Sequence, residues 1–256
     1  MQVLGHRGSK VPGPENTVEA VDAALRGGAD GVEIDVRRSA DGDLVCVHDA
    51  RLSRPVGRAV IRQPTAVLRA RGIPSLDEMI DVWAGRGRLV CEIKNQPGQP
   101  DFDAPRERTA RALADALRAR GLTGARPDAA DLAAGAGGIT VSSFDWFAIE
   151  AIRDAELAVT TAFLTMPRMS VGGGLAYVRS AGHAELHPHI SAVLGSGSGN
   201  AAARAREAGV RLVVWTITAL AEAVALRDAG VPGVICDDPA GIHAALAGDG
   251  LPGEAT

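Results

Sequence analysis

Aromatic side chains are scarce in this chain: they make up 3% of its 256 residues, with a single tyrosine. With no amphipathic anchor beside that scarcity, no stable membrane association is expected. No basic run is present, and a formal net charge of -4 with a pI near 5.9 offers no long-range attraction to nucleic acid, which is excluded as a partner. No apolar run approaches the roughly 18 residues of a membrane span, and no cationic, apolar leader precedes the first strand. Cysteines are few and odd in number. Cys46, Cys91 and Cys236 sit in apolar, strand-like runs whose spacing matches no zinc pattern, so they read as buried thiols of a cytoplasmic protein in a reducing compartment. A P-loop pattern is also missing, which argues against nucleoside triphosphates.

What is there is a large apolar fraction, 46%, in a length that suits one eightfold α/β barrel of about 250 residues or two small domains. The most informative stretch is residues 31–49, GVEIDVRRSADGDLVCVHD. Val32, Ile34 and Val36 alternate with Glu33, Asp35 and Arg37, so a strand here puts apolar residues on one face and charges on the other. Apolar-rich strand candidates recur along the chain, which makes the charged face the lining of a cavity. Asp41-Gly42 supplies a turn, and the returning Leu44-Val45-Cys46-Val47 brings His48 and Asp49 back beside it.

Other strands are expected at residues 2–5, 89–94, 139–143, 157–164, 184–187, 210–216 and 233–236. Helices are expected after Thr17, after Ser75, over 105–120, from Asp145, over 198–208, over 219–229 and from Pro239, with Asn16 or Thr17 and Ser75 as caps. Residues 50–74 read as an Arg- and Pro-rich loop and 121–138 as a surface loop. In 168–180, Gly172-Gly173-Gly174 interrupts any helix. Eight strands alternating with helices or helix-sized gaps, without a dividing linker, predict one (β/α)8 TIM barrel over 1–256 with a short, reduced insertion after the second strand. In such barrels chemistry gathers at strand C-termini, where His6, Asp35, Glu92, Lys94, Ser143, His187, Trp215 and Asp237 fall.

Glu33, Asp35 and Glu92 would meet on the inner rim, and three like charges there need compensation. One divalent cation held by oxygen ligands, Mg²⁺ or Ca²⁺ with Mn²⁺ also compatible, supplies it; a buried ion network with Arg7, Arg37 and Lys94 is the competing solution. His6 and His48 are the natural acid and base. Arg7 and Lys94 beside a divalent ion form a phosphate receptor, which points to phosphoryl chemistry, and Trp215 is a candidate pocket wall. Asn16, Ser143 and His187 have capping or turn roles as readily as substrate contacts.

These residues fall in blocks: His6-Arg7-Gly8, Pro14-Glu15-Asn16-Thr17, Glu33-Ile34-Asp35 with His48-Asp49, Glu92-Ile93-Lys94, Ser143-Phe144, Leu186-His187-Pro188, Val214-Trp215-Thr216 and Gly233 to Pro239. In that order they resemble the glycerophosphodiester phosphodiesterase family across nearly the whole chain. The resemblance implies a TIM barrel in which Glu33, Asp35 and Glu92 hold the metal, His6 and His48 are general acid and base, and Arg7 and Lys94 bind phosphate. It implies hydrolysis of small-molecule glycerophosphodiesters to an alcohol and glycerol 3-phosphate, with water or a substrate hydroxyl as nucleophile. Phospholipase-D-like activity on lysophospholipids and a non-catalytic phosphate-binding barrel are the alternatives. The chain departs from the family at Arg51-Leu52-Ser53-Arg54, at Trp215-Thr216-Ile217-Thr218 and in the reduced segment between Ala50 and Ile73, departures that bear on substrate choice.

Overall fold

The computed structural model describes residues 1–10, 13–53, 57–124, 138–195 and 200–247. Among these run the strands β1 (Gln2–Gly5), β2 (Gly31–Arg38), β3 (Leu44–Cys46), β4 (Arg88–Ile93), β5 (Gly138–Ser143), β6 (Thr160–Thr165), β7 (Glu185–Pro188), β8 (Arg211–Ile217) and β9 (Gly233–Cys236). All pair in parallel in the order β1-β9-β8-β7-β6-β5-β4-β2 except β3, which returns antiparallel on β2. Pairing of β1 with β2 closes the ring, so the fold is the eight-stranded barrel that the alternation of elements predicts.

The helices between strands are α1 (Val18–Arg26), α2 (Thr65–Arg69), α3 (Leu76–Trp83), α4 (Arg108–Ala119), α5 (Trp146–Asp154), α6 (Val171–Ala181), α7 (Ile190–Leu194), α8 (Ala201–Glu207), α9 (Leu220–Asp228) and α10 (Pro239–Ala247). Two begin as their sequences dictate. The Thr17 hydroxyl accepts from Ala20 N at 3.1 Å, and Ser75 forms a reciprocal capping box with Glu78.

Three expectations change. Within 50–74, residues 57–74 hold more than a loop: a 3₁₀ turn at Val60–Arg62 and α2 close a small apolar cluster of Val45, Leu52, Val60 and Leu68 under the β2–β3 hairpin. The glycine triplet lies inside α6 rather than interrupting it, capped by Ser170. A Cβ on Gly174 would stand 2.7 Å from Leu186 Cδ1, so glycine is the residue that lets this helix lie close on the sheet. Helix formation over 198–208 narrows to α8, preceded by the separate α7. Most of the loop expected over 121–138 lies outside the described residues.

The main apolar clusters fill the space between strands and helices, and Val32, Ile34 and Val36 of β2 join one of them. Inside the barrel is a thin apolar layer of Leu4, Val90, Val213 and Ile235 with Trp215 against it. Because side chains alternate along a strand, residues two positions before and after this layer also point inward. Arg88 and Arg211 therefore lie on its N-terminal side, and Glu92 lies toward the C-terminal mouth. Register pairs Glu33 with Val90 and Asp35 with Glu92, so the charged face of β2 rises from the apolar layer to the mouth.

Candidate active site

At the mouth, Glu33, Asp35 and Glu92 each offer a carboxylate oxygen within 4.8 Å of the others, and all three are buried. The hairpin turn keeps β3 paired with β2, and the Val47 amide donates to Asp35 O at 3.1 Å, which carries His48 to the same rim. Arg37 fixes that return by donating from Nε at 2.9 Å and Nη2 at 2.7 Å to the His48 carbonyl, while its Nη1 pairs with Asp101 at 2.5 Å. Arg37 thus holds the hairpin and does not neutralise the carboxylate triad.

The first strand contributes through an unusual turn. Arg7 has φ 56° and Asn16 φ 56°, left-handed conformations that non-glycine residues rarely adopt. Gly8 between them has φ 87°, and a Cβ there would meet the Ala20 backbone at 2.5 Å, so only glycine closes this turn on α1. The turn aims the Arg7 amide at Glu33 Oε2, 3.0 Å away, and brings Arg7 Nε within 3.1 Å of Asp35 Oδ2. Asn16 is not a cap: Nδ2 donates to Asp35 Oδ2 at 2.7 Å and Oδ1 accepts from the Asp35 amide at 3.0 Å, so it sets the carboxylate's orientation. Its position beside the left-handed Arg7 is the signal that a reading for caps passes over.

Lys94 Nζ lies 2.8 Å from Asp35 Oδ1 and 2.6 Å from Glu92 Oε1, close enough for charge pairing but outside hydrogen-bonding angles. Burial pushes Asp35 up, but Lys94 and Arg7 overcome it and hold its carboxyl down to about 2. Glu33 is left out of this pairing. Burial, then Asp35 and Glu92, push its carboxyl well above the usual range, and Oε1 is buried with no hydrogen-bond partner. Burial also raises Glu92, against the pull of Lys94. Three carboxylates against two cations leave one negative charge. A divalent cation would reverse that sign to a net positive charge, the complement of a phosphodiester monoanion. The all-oxygen donor set and the orphaned Glu33 Oε1 fit such an ion.

His6 Nδ1 is 2.7 Å from Asp237 Oδ1, which fixes the ring and leaves Nε2 for a reacting group; Asp237 also takes Lys10 Nζ at 2.8 Å. Asp237 lies among the acids at the end of β9, a placement the sequence gives without its partner. His48 Nδ1 is 2.9 Å from Asp49 Oδ1. Burial and then Lys94 hold the His48 imidazole below its usual value, which favours its neutral form. A cavity of about 430 Å³ opens beside it, with Glu15, Asn16, Asp49 and Ile73 among its walls.

Two candidates land elsewhere or in altered roles, and a third, Trp215, keeps its place at the mouth. The Ser143 hydroxyl donates to Ile93 O at 2.8 Å and accepts from the Asp145 amide, which ties β4 to β5. His187 is fully buried, its Nε2 2.8 Å from Glu185 Oε2 on the opposite side of the apolar layer. Trp215 is half-buried; its indole N–H donates to His187 O at 2.9 Å, and its ring meets Phe144 edge-on at 5.5 Å. It presents a ring to the mouth and no hydrogen-bond donor.

Fold and site together define a TIM barrel with an acidic, cation-compatible centre flanked by the cations Arg7 and Lys94 and by two imidazoles. The family model for the glycerophosphoryl diester phosphodiesterase family matches residues 6–241, and the chain belongs to that family. A Mycobacterium tuberculosis relative named as glycerophosphodiester phosphodiesterase 1 is 60% identical over 52 residues, a match that spans 20% of this chain and only 19% of the relative. The Bacillus subtilis relative YhdW is 23% identical over 260 residues, covering 93% of this chain and 95% of its own. An Oleispira antarctica phosphodiesterase, solved in complex with its product sn-glycerol-3-phosphate, superposes with a TM-score of 0.78 at 25% identity over 97% of each chain. Among the described residues no helix is long and apolar enough to cross a membrane.

Proposed function

We propose that the chain hydrolyses glycerophosphodiesters to an alcohol and glycerol 3-phosphate, with Glu33, Asp35 and Glu92 holding one divalent cation, Mg²⁺ or Ca²⁺. The observation that carries this reading is the uncompensated Glu33 carboxylate, buried beside two cations that stay charged. When bound, such an ion polarises the phosphoryl oxygens as a Lewis acid. Arg7 and Lys94 orient the diester and face the charge that grows on its equatorial oxygens. His48, whose neutral form burial favours, is suited to accept the proton of the attacking hydroxyl, and His6, its ring held by Asp237, protonates the leaving alkoxide. The attacking group is water or the neighbouring glycerol hydroxyl, and trapping of a cyclic phosphate distinguishes them. Trp215 and Phe144 wall the mouth. The three buried, unpaired thiols support a reducing, cytoplasmic setting.

Hydrolysis of glycerophosphocholine, glycerophosphoethanolamine and glycerophosphoinositol, with and without chelator, tests the reading. His6→Ala and His48→Ala should each lower turnover by about 10²–10⁴-fold while cation binding persists. Full activity in both variants would remove the acid-base assignment, and metal-independent turnover would remove the cation. Absence of turnover on every diester, with phosphate binding retained, would favour a binding protein.

A further inference from the structure

The described residues expose eight large hydrophobic side chains, and six of them crown four consecutive strands at the mouth. Phe102 follows β4, Trp146 and Phe147 follow β5, Met166 and Met169 follow β6, and Leu194 ends α7 after β7. Met166 is 57% exposed and Phe147 49%. Three of the chain's four phenylalanines, Phe102, Phe144 and Phe147, lie in this arc. The low aromatic content that argued against membrane contact therefore hides a concentration at one place. An apolar arc of this kind, beside a polar site, marks an interaction surface.

The charges of the same loops indicate what covers it. Each acid there is already engaged: Asp101 with Arg37, Asp103 with Arg38 and Arg108, Glu107 with Asn95, and Asp145 with Asn95 and the Phe147 amide. Arg106 and Arg168, both exposed, have no ion pair among the described residues. Glu107 and Asp145 meet neutral partners but are buried and half-buried, so in a chain of net charge -4 the exposed charged side chains of this arc that lack an ion pair among the described residues are the cations Arg106 and Arg168. The opposite side of the mouth differs, with Lys10, Glu15, Asp237 and Arg7 joined by ion pairs and none of these six exposed apolar side chains. Single apolar side chains on separate loops form no groove for a peptide. With free arginines between them they match a lipid surface, where rings and thioethers enter the acyl boundary and guanidinium groups meet phosphates.

We propose that the β4–β7 side of the mouth docks reversibly on an anionic phospholipid surface, which turns the catalytic opening toward lipid headgroups. Docking does not depend on the chemistry at the carboxylate triad, so it is measured without turnover. The probes are vesicles of phosphatidylcholine with phosphatidylglycerol and vesicles of phosphatidylcholine alone, in a sedimentation assay at low and high salt. The intact chain should sediment with the anionic vesicles at low salt and be released by high salt. Met166→Ser/Met169→Ser should weaken binding about tenfold or more, and Arg106→Gln and Arg168→Gln roughly fivefold each. Unchanged melting temperature and unchanged hydrolysis of a water-soluble diester would show that these variants fold. Trp146 emission should shift to the blue on binding, and Trp146→Phe should abolish the shift while the chain still sediments. The proposal is overturned by failure to sediment at low salt, by variants that bind as the parent does, or by an emission shift that persists in Trp146→Phe. A concentration-dependent dimer lost in Met166→Ser/Met169→Ser, without vesicle binding, would assign the arc to a second copy of the chain instead.

Discussion

The barrel holds two buried charged clusters on either side of one apolar layer, and they resolve the same electrostatic problem in opposite ways. On the N-terminal floor, Glu185 pairs with Arg88 Nη2 and accepts from His187 Nε2, with Arg211 Nε 3.9 Å from its other oxygen. Arg88 also donates to Thr140 at 2.6 Å and Arg211 to Gln2 at 2.6 Å. Burial pushes the Glu185 carboxyl up, but Arg88 and His187 hold it down to about 2. The floor's one carboxylate is thus compensated by the protein's own cations, two arginines facing a single acid, although Glu185 Oε1 and His187 Nδ1 have no hydrogen-bond partner. At the mouth three carboxylates face two cations, which leaves Glu33 and Glu92 raised and Glu33 Oε1 buried without a hydrogen-bond partner. A buried cluster whose carboxylate is fully compensated by cations is a structural element; one with more carboxylates than cations is suited to take up a further cation.

Neutralising the mouth should separate function from stability. Glu33→Gln is expected to lower turnover by about a thousandfold or more without lowering the melting temperature, since it removes a poorly compensated buried charge. Parallel kinetics and thermal unfolding check this, and a large loss of stability would make the two clusters alike. Breaking the floor should do the reverse. Arg88→Met strands Glu185 and is expected to cost about 3–5 kcal/mol, on the order of 10 °C in melting temperature, while any properly folded fraction keeps its turnover.

The floor also sets an acid limb. A carboxyl held below its unfolded value contributes stability above the usual carboxylate range and loses it as pH falls through that range toward 2. For Glu185 the expected loss is about 3 kcal/mol, and denaturant unfolding against pH should show an acid limb in Glu185→Gln that is smaller than the parent's by that amount, because Asp35 keeps its own contribution. A smaller effect falls on Asn16, which touches Asp35 twice. Asn16→Ala should weaken cation affinity and turnover about 10–100-fold while leaving the floor's acid limb in place.

The mouth was more legible in the sequence than the floor. Glu33, Asp35 and Glu92 alternate with apolar residues in segments too hydrophobic to be exposed, so period-two patterning placed them inside. Glu185 and His187 obey the same period, but pattern alone does not tell which end of the barrel an inward side chain leans toward. His187 follows its i−2 neighbour to the floor, although its position near the end of β7 pointed to the mouth. Asn16 and Asp237 act through pairings 19 and 231 residues apart, which no local pattern encodes. The Gly172-Gly173-Gly174 helix fails a propensity reading because tertiary contact with Leu186 outweighs the local cost of glycine.

The contrast between the clusters is tested most directly by thermal unfolding of the parent, Glu33→Gln and Glu185→Gln with and without saturating Mg²⁺ or Ca²⁺. At a hundredfold excess over the dissociation constant, the cation should stabilise the parent by about 2.7 kcal/mol. Glu185→Gln, although less stable, should show the same increment, and Glu33→Gln little or none. No increment in the parent with either ion, or an equal one in Glu33→Gln, would contradict the assignment of the mouth as a cation centre.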